Sequence, residues 1–292
     1  MMSGNFTLSC CSTVDLPYSR MAERGIPVLF YTYTVDDTVY VDDMGRDAAA
    51  QDRFYEMLAA GKMPKTSQLN IDNYAQFFES LLAEGKDVLH IALGSGMSNS
   101  VNNAFLAAEL LREKYPERKL LVVDSLSAGP ELRLLLEKLR ELLQEGRTFG
   151  EIAEEIERCR QRTALLFMLQ SLRNLARNGR VSPLVAKAAG FLGIRLVGRA
   201  SAEGTLEPLE KCRGEKKSLT SLLQNMEAMG YDGGPVRISH CFADSAAESF
   251  RQQLLTRHPH ACVEIYPSRG LCSFYAEQGG MLVDFETAAD PK

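Results

Sequence analysis

The sequence predicts an α/β protein of two α/β domains: a parallel-rich sheet flanked by helices in the first, and a smaller mixed α/β second domain. Three observations predict this. Val88–Leu93 (VLHIAL) is an apolar strand that runs directly into the loop GSGMSNS and then into a helix-like stretch, VNNAFLAAELLREKYP. Lys119–Asp124 (KLLVVD) is a second apolar strand, again followed by small polar residues, SLSAG. Strands that alternate with helices and open on Ser/Gly loops pair in parallel through βα crossovers. Finally, 292 residues are enough for two cores. The change of element pattern near residue 163 divides the chain into 1–163 and 164–292.

Phe6–Cys10 reads as a short buried strand, and Ser12 or Asp15 as the start of a helix through Arg20–Glu23. Ile26–Val35 (IPVLFYTYTV) is rich in aromatic and branched residues and reads as one strand. It turns at DDT into VYVDD, a hairpin. Ala48–Ala60 is a helix closed by Gly61. KMPKTSQLN reads as a loop broken by Pro64. Asn70 or Asp72 starts the next helix, which Gly85 ends. After the two apolar strands come an amphipathic helix, Glu131–Glu145, and a capping box, Thr148–Glu151, that opens another helix. Ala164–Leu169 begins the second unit. SLRNLARNGR reads as a short helix and turn, VSPLVAKAAGFLG as an apolar helix and IRLVGRA as a strand. SLTSLLQNMEAMG is a helix, Gly234–Ala243 a strand, and DSAAESFRQQLLTRH a helix. ACVEIYP and Gly279–Glu286 are the last strands.

Composition bounds the function. The chain is 45% hydrophobic and 24% charged, as an ordinary globular protein is. A net charge of -5 argues against nucleic acid as a partner. Seven cysteines, an odd number with no C-x-x-C pair, fit a reduced cytoplasmic setting and suit neither a disulfide framework nor a zinc site. The N-terminus lacks a signal-peptide pattern, and no apolar run reaches membrane-spanning length. The four histidines form no ligand set, so no metal or cofactor is expected. His90, inside a strand, reads as a core or interface residue.

Chemistry concentrates at the junction after Leu93. A helix N-terminus presents unpaired N–H groups and the positive end of its dipole, which makes it an anion site. Ser95, Ser98 and Ser100 add hydroxyl donors beside Gly96, while Ser98 and Asn99 also suit plain capping. Lys65–Gln68 (KTSQ) sets the hydroxyls of Thr66 and Ser67 on a Pro-broken loop. Asn178–Arg180 (NGR) puts a guanidinium beside a turn glycine.

TSQ, GSGMSNS, DSLSAG and NGR, in this order, resemble the DegV family of bacterial lipid-binding proteins. STVDLP, YVDDMG, YPERKLLVVDSLSAG, NGRVSPLVAKAAGFLGIRLV and GTLEPLEKCRGEKKSL extend the resemblance over nearly the whole chain. It implies a two-domain α/β fold that buries one long-chain fatty acid. The carboxylate would lie near the TSQ loop and the Ser-rich helix start. Family members of this type hand the acyl group to a separate fatty acid kinase, whose acyl-phosphate enters phospholipid synthesis. The expected ligand-binding set is Thr66, Ser67, Ser95, Gly96, Ser98, Asn99, Ser12, Arg180, Gly279 and Gly280. Residues 1–163 would hold the head group and 164–292 would cover the acyl chain. Phe167, Leu169, Leu184, Val185, Phe191, Leu192 and Ile194 are candidates for its channel or for ordinary core. Three departures stand out. Cys11-Ser12 replaces the family's Asp-Ser, and Gly94-Ser95 replaces its Ser-Ser. Ala276–Gly280 carries no histidine where many members have His-Thr-Gly-Pro-Gly; a slip of one residue in that correspondence would put Tyr275 there.

Two other classes remain open. A serine hydrolase would use Ser95 with His240 or His90 and with Asp124 or Asp244, although Gly-x-Ser-x-Gly is not supplied. A binder of another small anion, such as a phosphate or nucleotide, would need only the helix end; the Walker and G-x-G-x-x-G patterns are absent. Lys211, Arg213, Lys216 and Lys217, with Arg195 and Arg199, form a basic cluster that suits a solvated face, an acidic partner or acidic lipid.

Overall fold

The computed structural model describes residues 6–183 and 193–288. Leu184, Val185, Phe191 and Leu192, together with most of the apolar helix expected there, lie outside the described residues.

The first sheet is four-stranded and all parallel, in the order β2-β1-β6-β7. It is built from β1 (Phe6–Cys11), β2 (Val28–Leu29), β6 (Asp87–Ala92) and β7 (Leu120–Asp124). Helices α1 (Tyr18–Glu23), α3 (Ile71–Leu82), α4 (Ser100–Lys114), α5 (Pro130–Gln144) and α6 (Phe149–Arg162) accompany it. Asn70 caps α3 in a reciprocal capping box with Asn73, and Thr148 caps α6 in the same way with Glu151. His90 is a core residue, as expected. Its Nδ1 lies 3.0 Å from Ser9 Oγ, and the rings of Tyr74, Phe77 and Phe78 surround it. Burial lowers its pKa to about 3, so it is neutral at physiological pH.

Three local readings differ from the sequence expectation. Ser12–Val14 is a single 3-10 turn followed by Asp15 in the left-handed region, so neither Ser12 nor Asp15 starts a helix; Pro17 precedes α1. Ile26–Val35 is two strands, because the chain changes sheets between Leu29 and Thr32. Thr32–Val35 (β3) pairs instead with Thr38–Val41 (β4), through a two-residue turn in which Asp36 and Asp37 both have positive φ. Lys65–Ser67 is a short strand, β5, on the other edge of this small sheet, where Thr66 pairs with Tyr33. Between β4 and β5 lies α2 (Ala48–Ala59), capped by the Asp47 side chain.

The second sheet is six-stranded and mixed, in the order β10-β9-β8-β13-β11-β12. It comprises β8 (Thr163–Leu169), β9 (Ile194–Ala200), β10 (Leu206–Arg213), β11 (Pro235–His240), β12 (Cys262–Pro267) and β13 (Met281–Glu286). Central β8 is buried at every residue. Its helices are α7 (Arg173–Arg177), α8 (Glu215–Ala228), α9 (Asp244–Arg257) and α10 (Gly270–Ala276). The sequence reading missed β10, a charged edge strand whose register shifts between Pro208 and Glu210. Charge, proline and bulges are what keep an exposed edge from pairing further. It also missed α10.

Helix α5 is amphipathic, as expected, and lies between the two large sheets. It packs against β1 and β6 of the first sheet and β8, β11 and β13 of the second; every residue from Pro130 to Leu136 is buried, while Glu141 and Gln144 further along are exposed. Polar residues of its buried part meet partners inside. The Arg133 side chain, 2% exposed, donates to Glu137 at 3.0 Å, pairs with Glu264, and lies 4.5 Å over the Tyr266 ring. Arg237 on β11 donates to the other Glu137 oxygen at 2.8 Å. Glu137→Ala therefore leaves two largely buried guanidiniums short of their shared carboxylate. The expected loss is about 3 kcal/mol, the low end for a broken buried pair because Glu264 remains. Urea unfolding measures it; a loss under about 1 kcal/mol would mean that the cluster behaves as exposed pairs do.

Candidate functional site

One cavity is lined by the mixed sheet, by β5 of the small hairpin sheet and by the segments that follow the strands of the parallel sheet. Alternate residues of β8, Leu165, Phe167 and Leu169, present one face to it, as the two-residue repeat of a strand requires. Leu282 lies beside Phe167 across the β8–β13 ladder. Leu175, Leu206, Leu271 and Ala276 extend the apolar wall, and Ala128 and Gly129, just before α5, complete it.

Against this apolar wall stands one polar group. Thr66 Oγ1 and the Tyr275 hydroxyl lie 2.8 Å apart, either one donating. Arg180 and Ser98 also line the cavity, as do Ser67, Thr13 and Tyr31. Arg180 Nε donates to the Met97 carbonyl at 3.2 Å, which ties the NGR turn to the loop after β6, and a second nitrogen donates to Asn178 O. Ser98 Oγ and Ser100 Oγ lie 3.0 Å apart, and Ser100 Oγ accepts from the Leu69 amide. Burial pushes the Tyr275 pKa up, opposed by the Thr66 hydrogen bond and the Arg180 charge. A tyrosine so placed keeps its proton at neutral pH and acts as a hydroxyl donor. Burial raises the pKa of Tyr31 as well.

Of the expected set, Thr66, Ser67, Ser98 and Arg180 come together on this cavity; the others are placed elsewhere. Ser95 is exposed, and its amide donates to Asp124 Oδ1 at 3.0 Å. That carboxylate also takes the Leu126 amide at 3.0 Å, so the chain supplies its own anion to this part of the loop. Gly96 packs on the 201–205 turn: a Cβ there would lie 2.5 Å from the Glu203 carbonyl oxygen. Asn99 stands at the N-cap position of α4, but its side chain makes no cap bond and accepts instead from Asn102. Ser12 is buried, donating to Asp42 Oδ2 at 2.9 Å and accepting from the Tyr31 amide. The Gly279 and Gly280 amides are already donated, to Cys241 O at 2.8 Å and Glu277 O at 3.0 Å, and so do not serve as substitute donors.

The sequence reading left Thr13, Leu271 and Cys272 out of the lining, and reached Tyr275 only as the residue that a slip of one position would place at the family's histidine. The correspondence at Ala276–Gly280 held the signal: Ala276 does line the cavity, and the residue before it carries the hydroxyl.

The groups named for a hydrolase are placed as follows. Asp124 holds the Ser95 amide rather than its hydroxyl. His90 is sealed in the core, and His240 Nδ1 accepts from the Ala243 amide while its Nε2 lies 3.7 Å from Asp244. In the basic cluster, Arg195, Arg199 and Lys217 pair with Glu215, Glu207 and Glu210. Among the described residues no helix is long and apolar enough to cross a membrane, and no group of side chains is arranged to hold a metal ion.

Residues 11–284 match the family described as "Uncharacterised protein, DegV family COG1307". A DegV domain-containing protein of Streptococcus pneumoniae is 38% identical over 256 residues, 87% of this chain and 89% of that one. The fold is similar to a DegV family protein from Eubacterium eligens loaded with heptadecanoic acid, with TM-score 0.87, 34% identity, and coverage of 97% and 99% of the two chains. It is also similar to the Streptococcus pneumoniae fatty acid kinase (Fak) B3 protein loaded with linoleic acid, with TM-score 0.86, 34% identity, and coverage of 96% and 99%.

Gly96→Ala sets a methyl group against backbone atoms that have no rotamer by which to retreat. Its expected cost is about 1–3 kcal/mol, as for other overpacked sites, and urea unfolding reads it directly. Wild-type stability in this variant would mean that the loop and the 201–205 turn are free to part.

Proposed function

We propose, for a chain that belongs to the DegV family, that it binds one long-chain fatty acid in this cavity and presents the carboxylate to a separate fatty acid kinase. The observation that carries the reading is the lining itself: apolar residues throughout, with hydroxyls and one guanidinium at Thr66, Ser98, Tyr275 and Arg180. An alkyl tail gains from burial at about 0.8 kcal/mol per methylene. A carboxylate taken from water needs donors, and charge-assisted ones are strongest. The Thr66–Tyr275 pair shares one hydrogen bond, so one of its two hydroxyl protons remains to point at the ligand. Arg180 brings positive charge to the same end.

In this reading the ligand-binding set is Thr66, Ser67, Ser98 and Arg180, with Tyr275 added. Ser12, Ser95, Gly96, Asn99, Gly279 and Gly280 hold the loops in place around it. Residues 1–163 supply most of the polar end and residues 164–292 most of the acyl wall, with Arg180 and Tyr275 reaching across. The chain acts as a carrier, and acyl-phosphate forms through the kinase. Free thiols throughout the described residues suit a reduced, cytoplasmic setting. The hydrolase reading loses support because Asp124 accepts from the Ser95 amide rather than from its hydroxyl, and His90 is sealed in the core.

Two outcomes are expected. Native mass spectrometry of the purified protein finds one acyl chain per polypeptide, or uptake of one when fatty acid is added; a protein that neither carries nor takes up fatty acid refutes the reading. Tyr275→Phe and Thr66→Ala each weaken binding of a fluorescent fatty acid by about tenfold to a hundredfold, the worth of one hydrogen bond to a charged group. Melting curves serve as the control for folding. Unchanged affinity in both variants would move the carboxylate elsewhere.

A further inference from the structure

We propose that Asp42, assisted by Asp15, is a positioning carboxylate of the head-group site: it clasps the start of α10, so that Tyr275 is held on Thr66 and the cavity wall stays closed. The proposal rests on the fatty-acid reading of the cavity.

Asp42 follows β4 in the first half of the chain and is 3% exposed. Its Oδ1 accepts from the Leu271 amide at 3.2 Å, and its Oδ2 accepts from Ser12 Oγ at 2.9 Å. Asp15 accepts from Ser268 Oγ at 2.8 Å and from the Arg269 amide at 3.3 Å. Two carboxylates from one half of the molecule thus hold the backbone entry to a helix from the other. That helix carries Leu271, Cys272, Tyr275 and Ala276 onto the cavity. Gly270 makes the approach feasible. Its φ is +50°, and a Cβ there would overlap Asp42 Oδ1. The fit between carboxylate and chain is therefore specific to this residue pair.

This clasp is costly when charged. Burial, opposed by the Ser12 and Leu271 hydrogen bonds and reinforced by the charges of Asp15 and Asp43, pushes the Asp42 carboxyl up to about 7. Burial raises Asp15 as well, against its Ser239, Ser268 and Arg269 bonds and the Arg133 charge. The Arg269 guanidinium, a cation at every accessible pH, lies over Gly45 and donates to Gln51 rather than to Asp42. Burial keeps the Cys11 and Cys272 thiols protonated, and burial lowers the pKa of His240.

The sign follows from linkage. In the clasped state Asp42 keeps its proton to a higher pH than a carboxyl in water does, so the clasped state binds more protons than an opened one. The clasp is therefore tightest at acidic pH and loosens as pH rises through about 7. Protonation does not break it: one oxygen still accepts from Leu271, and the other donates to Ser12 Oγ.

The test compares wild type, Asp42→Asn and Asp42→Ala at pH 6 and pH 8. Two quantities are read: amide hydrogen exchange of residues 270–276 in ligand-free protein, corrected for the intrinsic pH dependence of exchange, and the dissociation rate of a fluorescent fatty acid. In wild type both are expected to rise from pH 6 to pH 8 by about tenfold in all, because the one-proton linkage levels off above about 7. Asp42→Asn keeps the acceptor and gains a donor to Ser12, so it is expected to be slow at both pH values. Asp42→Ala, with neither group, is expected to be fast at both. Wild-type pH dependence in Asp42→Asn, or wild-type exchange in Asp42→Ala, overturns the proposal. If Asp42→Ala does not fold, the comparison of wild type with Asp42→Asn decides it alone. The expected exchange pattern without fatty-acid binding in any variant would uphold the clasp and refute the carrier reading.

Discussion

Every residue of α5 from Pro130 to Leu136 is buried, and a helical segment of that kind is stable in water only when covered on all sides. The two large sheets provide the cover, the parallel sheet on one side and the mixed sheet on the other. Arg133 and Glu137 carry charge into this seam, and they are satisfied by Arg237, Glu264 and Tyr266 of the mixed sheet. The mutual position of the halves follows from this packing. So does the cavity: Ala128 and Gly129, which form part of its wall, are the residues that lead into α5.

The second crossing between the halves is α10. Leu271 and Phe274 belong to the apolar core of the first half, although the helix lies late in the chain. Two buried carboxylates receive its entry, and Thr66 receives its tyrosine.

Much of this was legible in the sequence. The two apolar strands, their Ser/Gly loops and the helices behind them are local features, and local patterns fix them. The order of TSQ, GSGMSNS, DSLSAG and NGR carried the family, which no composition could have done. What escaped depends on distant residues. Ser95 looked like the ligand donor because its loop precedes a helix; Asp124, from the next strand, already accepts its amide. The helix that carries Tyr275 escaped because GLCSFYA is short, begins with glycine and has no side-chain cap, so nothing local announces it. Strand β10 escaped because LEPLEKCR has the charge and proline of an edge rather than a core.

The central claim is the place of the carboxylate, and a crystal structure with a bound long-chain fatty acid tests it most directly. The account predicts a carboxylate oxygen within hydrogen-bonding distance of Thr66 Oγ1 or the Tyr275 hydroxyl, on the Ser98 and Arg180 side, with the tail running past Phe167 and Leu282. A carboxylate at the Ser95–Asp124 loop, or a tail that avoids the β8 face, would contradict it.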